Sequence, residues 1–157
     1  MSRLFYGVLC CVLFALAGGA ALSVLAMFAL PLGRLLGLPG GLMAHPLAWL
    51  ALPAGWFLGI GLRHWVQLGA MPRAVLGAAS LMIAAVYANC LVTWGRIANA
   101  FGIGFVQAMR DAGLANTVGL ARIGLSTADG VLYALALALA AWAAGRAGRA
   151  VVSRPAP

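Results

Sequence analysis

The chain has 157 residues, 65% of them hydrophobic and 8% charged, where a soluble domain carries about 45–50% apolar and about 25% charged residues. That balance excludes an ordinary water-soluble globule and points to an all-α, polytopic membrane protein whose first partner is the lipid bilayer. The ten basic residues are all Arg, the two acidic ones are both Asp, and the net charge is +8. The Arg residues are scattered among apolar runs, as headgroup-level anchors are, and not gathered into the basic patch that nucleic acid requires.

A membrane-crossing helix takes about 20 residues, so the length allows four or five spans and no sizeable soluble domain; the uncharged run at 97–109 is too short for a fifth, so four are expected. The first covers about residues 4–30, 27 residues without a charge. Arg3 and the triplet Ala15-Leu16-Ala17 imitate a signal peptide with a cleavage site. The apolar run continues far beyond that triplet, so an uncleaved first helix is expected. Pro31, Gly33, Gly37, Pro39, Gly40 and Gly41 are expected to break the helix and form a loop.

The second span covers about 46–62, with Pro53 inside it and a kink expected near Leu50–Pro53. Within it Gly55-Trp-Phe-Leu-Gly59 has the small-residue spacing that lets membrane helices approach closely. Pro53, Gly55 and Gly59 are therefore the candidate packing residues. Arg63-His64-Trp65 closes the span, and a short connection leads to a third at about 74–94, so the second and third spans should form a hairpin in direct contact.

The stretch 97–125 is of mixed character. Phe101, Phe105, Met109 and Ala112 recur at helical spacing while Gln107, Arg110 and Asp111 lie off that stripe, which predicts an amphipathic interfacial segment. Ser126 and Asp129 then have the spacing of a helix-capping pair, and a fourth span is expected at about 127–145, followed by a frayed tail at 146–157. Trp49, Trp65, Trp94 and Trp142 fall near span ends, as an aromatic belt requires, and Trp56 should lie deeper. With four spans, six Arg (3, 63, 73, 146, 149, 154) share a side with both termini and four (34, 96, 110, 122) lie opposite. The positive-inside rule then places both termini in the cytoplasm, and the Ala-, Gly-, Leu- and Arg-rich composition suggests a bacterial inner membrane.

Chemistry-bearing residues are few. On the third span Asn89, Thr93 and Arg96 fall on one helical face, extended by Asn99. Polar groups are costly in hydrocarbon, so this face should meet other helices or a wet cavity. It is either an anion or polar-ligand site with Arg96 as its charge, or interhelical hydrogen bonding with an Arg96 that reaches the headgroups. Tyr87 is a further nearby polar group. His45 and His64 stand at opposite ends of one span and cannot share a metal. Cys10, Cys11 and Cys90 form no CxxC pair and read as buried hydrophobes. No convergent acid–base set and no hydrolase or phosphate-binding motif is present, so no enzyme, cofactor or metal is expected. The expected role is a small non-enzymatic accessory, assembly or protective subunit acting through helix contacts, as a homo-oligomer or with a membrane-protein partner. The alternative is a small oligomeric transporter or channel subunit with its polar site on the third span.

Overall fold

The computed structural model describes residues 2–35, 46–123 and 125–146. Among them are five helices and no strand: α1 (Ser2–Leu35), α2 (Pro46–Trp65), α3 (Ala70–Phe101), α4 (Phe105–Ile123) and α5 (Thr127–Gly145). Three are long and apolar enough to cross a membrane: Arg3–Phe28 within α1, α3 and α5, with mean hydropathies of 2.5, 2.0 and 1.5. The 20 residues of α2 include two prolines and three glycines and close on Arg63 and His64, so this helix is not among the three.

Helices α2 and α3 pack against each other and lie between α1 and α5, each of which packs on both; α4 packs on α3. The interior is built from small side chains. Ala15, Ala51, Ala84, Ala136 and Ala140 are fully buried around Leu58 and Leu81. Large apolar residues point outward instead, among them Phe5, Leu13, Phe28, Phe57, Val75, Val131 and Leu135. Small interior residues let helix backbones approach to van der Waals contact, the packing that operates where burial from water supplies no driving force.

Helix α5 closely approaches both α2 and α3. A Cβ added at Gly55 would stand 2.6 Å from the Ala136 carbonyl oxygen, at Gly59 2.7 Å from that of Ala140, and at Gly77 2.8 Å from that of Ala140. The hairpin of α2 and α3 does make direct contact, but Gly55 and Gly59 face α5. Helix α1 meets α3 in the same way, with Gly19 against the backbone of Ala84. Ser80 Oγ donates to the Cys11 carbonyl at 3.3 Å and Cys11 Sγ to the Leu76 carbonyl at 3.4 Å. All three cysteines are free and buried.

One end of the bundle gathers the start of α1, the 66–69 turn, the start of α3 and the end of α5. There Gly7 fits under Val66, Leu68 and Leu76, and Gly145 approaches Ala74 and Ala70. Arg63, Arg73 and Arg146 belong to this end, whereas Arg96, Arg110 and Arg122 lie on segments toward the other.

Several boundaries differ from the expectations above. Helix α1 continues through Pro31 and Gly33 to Leu35, and α2 runs past 62 to Trp65, with Pro53 inside it and exposed. A proline removes one backbone donor, but an apolar helix that keeps its remaining bonds loses less than one that exposes its backbone. The loop expected from Gly37 onward, His45 and the tail beyond 146 lie outside the described residues. Helix α3 begins at 70 and runs to 101, about 48 Å at 1.5 Å per residue, against a hydrocarbon core of about 30 Å. It absorbs the first part of the expected interfacial segment. It ends where Gly102, at φ 64°, donates its N–H to the Ala98 carbonyl, a left-handed cap that glycine adopts without a steric penalty.

Trp94 does not belong to a membrane-facing belt. It is buried, its indole Nε1 donates to Thr117 Oγ1 at 2.8 Å, and the Phe105 ring meets it edge-on at 6.2 Å between centroids. Phe105 and Thr117 are twelve residues apart, about 18 Å along a straight helix. Both reach the same indole because α4 bends at Gly113, whose φ of 64° and ψ of 162° are not helical. Trp56 packs on Trp142 at 5.7 Å, and the Arg146 guanidinium lies 3.6 Å over the Trp142 ring.

Candidate functional site

Helix α3 presents Asn89, Thr93, Arg96 and Asn99 to a cavity of about 660 Å³ at the α4 end of the bundle. The remaining wall comes from Ala26 and Met27 of α1, Leu47 of α2, Phe105, Leu120 and Ala121 of α4, and Tyr133 of α5. The four residues that helical spacing aligns therefore share one chamber, and elements from across the chain close it. Tyr87 does not join them; its ring packs on Gly19 of α1.

Each polar group has a distinct position. Asn89 Nδ2 donates to the Ala85 carbonyl at 2.8 Å and to the Tyr133 hydroxyl at 3.0 Å, so both amide hydrogens are engaged and α3 is tied to α5. Thr93 Oγ1 donates to the Asn89 carbonyl of its own helix at 2.8 Å. Arg96 and Asn99 are exposed, and Arg96 forms no ion pair among the described residues. Within this face Asn89 fastens two helices, and Arg96 and Asn99 leave polar groups exposed at the chamber.

A second cavity, of about 320 Å³, lies against the same wall. Asn89, Ala121, Leu125 and Tyr133 border both cavities. The smaller one extends along Leu81, Met82, Ala85 and Val86 of α3 and Leu137 of α5, and its lining is apolar apart from Asn89, Tyr133 and Arg122. The hydrogen-bonded pair Asn89–Tyr133 thus separates a polar chamber from an apolar groove.

Tyr133 and Arg122 escape a reading of the pattern. Tyr133 sits in an otherwise apolar helix, four residues after Asp129, and its polarity within that run is the signal that marks it. Arg122 is nine residues past the interior Gly113, and the bend there sets the course of its half of α4. The start of α5 is legible in full: Ser126 Oγ accepts from the Asp129 N–H at 3.2 Å while the Asp129 carboxylate accepts from the Ser126 N–H at 2.8 Å.

Among the described residues no three His, Cys, Asp or Glu side chains are grouped to hold a metal ion. His64 is exposed near one end of the bundle and Asp111 is exposed on α4, both apart from the chamber lining. No family model matches the chain, and neither a curated protein nor a solved structure is found to be similar to it.

Proposed function

We propose that the chain is a four-span protein of a bacterial inner membrane, with both termini cytoplasmic, that acts without catalysis as an accessory, assembly or protective subunit through helix contacts. The observation that carries this reading is the inverted packing. Large apolar side chains cover the outside, while glycine and alanine fill the inside at backbone contact distance. Such an outer surface is suited to lipid tails or to another apolar helix, not to water. In this reading α2 crosses as the fourth span: its length matches the hydrocarbon core, and α1, α3 and α5 pack on it.

A second reading, a small transporter or channel subunit, is favoured by one feature: the chamber that holds Arg96 and Asn99 and is walled in part by Asn89 and Tyr133. The two readings separate in purified material. The accessory role expects a membrane partner at fixed stoichiometry after mild extraction, and vesicles carrying the purified protein that stay tight to ions and small anions. Flux across those vesicles that Arg96→Gln abolishes would replace it with the transport reading.

A further inference from the structure

We infer that the paired cavities bind an anionic phospholipid, its phosphate headgroup at the polar chamber and one acyl chain in the apolar groove; the inference rests on the membrane reading above. The two compartments differ in chemistry as the two ends of such a molecule do. The groove runs along Leu81, Met82, Val86 and Leu137, side chains that offer only dispersion contacts. The chamber adds Thr93, Arg96 and Asn99, and Asn89 and Tyr133 form the wall common to both. At that wall Asn89 Nδ2 is already committed to the Ala85 carbonyl and the Tyr133 hydroxyl, which leaves the Tyr133 O–H to donate to a phosphate oxygen.

The charge selects the headgroup. Each lining contains one arginine, Arg122 in the groove and Arg96 in the chamber, and neither contains a carboxylate. Neither arginine forms an ion pair among the described residues. A guanidinium binds phosphate oxygens with two parallel N–H bonds, at a geometry an ammonium does not match. Each compartment thus carries one such fork, Arg96 in the chamber and Arg122 in the groove. A zwitterionic headgroup would bring its own cation into the same positive field, so an anionic lipid is preferred over phosphatidylcholine.

The test uses the full chain purified in detergent and titrated with phosphatidylglycerol or phosphatidylcholine, with bound lipid counted by native mass spectrometry. The expected result is at least tenfold tighter binding of phosphatidylglycerol. Arg96→Gln with Arg122→Gln should bring the two lipids within about twofold of each other. Arg110→Gln, an interfacial arginine outside both linings, should leave the preference intact. Because all three arginines are exposed, helix content and melting temperature should stay at the parent values. Val86→Trp, at a position exposed in the groove, should weaken both lipids about tenfold without changing their ratio. Equal affinity for the two lipids, a preference that survives the double substitution, or displacement of lipid by millimolar glycerol phosphate would each overturn the site. Failure of the protein to insert into vesicles would overturn the membrane reading together with it, whereas insertion without lipid preference overturns the site alone.

Discussion

At Gly59 a single methyl group sets two effects against each other. Alanine is a better helix former than glycine by about 1 kcal/mol, yet its Cβ would stand 2.7 Å from both the Ala140 carbonyl oxygen and the Ala143 methyl. Neither neighbour is the end of a flexible side chain, so the backbones must part, and overpacking of this kind costs about 1–3 kcal/mol. The clash should win at Gly59 and Gly55, and leucine should be worse at both. Gly130, with nothing within 4 Å of its added Cβ, should accept alanine without loss. Melting temperatures in one detergent compare the three, and equal effects at all of them would refute the contact between α2 and α5. Tyr133→Phe tests a softer interaction. It removes one interhelical hydrogen bond, worth about 0.6 kcal/mol on average inside membranes, while Asn89 keeps its bond to Ala85. A small loss is expected, read as a shift in the unfolding midpoint. At this scale the sequence is informative wherever local spacing decides. Gly55 and Gly59 are four apart and therefore share a face. What they face depends on a helix that begins about 70 residues later, and no local pattern carries that information.

Helix α4 shows how one residue sets the course of an element. The backbone at Gly113 lies at a positive φ with an extended ψ, a region open almost only to glycine. Gly113→Ala should cost about 1–3 kcal/mol and straighten the bend, drawing Thr117 away from Trp94. The indole emission of Trp94 should then move and its hydrogen bond be lost; Trp94→Phe removes that same bond while Thr117 Oγ1 keeps its 2.6 Å bond to the Gly113 carbonyl at the bend. Comparison of the two substitutions by melting separates the bend from the bond. At the start of α5, Ser126→Ala removes one half of a reciprocal cap and should destabilise by about 1 kcal/mol, seen in the same melting experiment. The cap of α5 was legible because a cap is local: Ser126 and Asp129 lie three residues apart and satisfy each other's backbone groups. The length of α3 was not legible. Its apolar pattern fades after Trp94, and what covers Trp94 in the folded chain is α4, a tertiary contact that propensity does not encode.

For the molecule as a whole, the proposed four-span arrangement would place residues 105–123 and the C-terminal tail on opposite sides of a membrane. Reporter fusions within 105–123 and at Arg154 should report opposite compartments; a shared compartment would remove one span from the proposal, with α2 the first to be doubted. The packing order of the helices also has a consequence for biogenesis. The chain is synthesised from its N-terminus, so α1, α2 and α3 leave the ribosome before α5, yet it is α5 that occupies the cleft shaped by Gly55, Gly59 and Gly77. Until α5 is released, that cleft is an open slot lined by bare backbone. Its closure thus waits for α5, and a ribosome stalled near residue 125 leaves an intermediate whose vacant slot can receive the alanine face of α5 from a second copy.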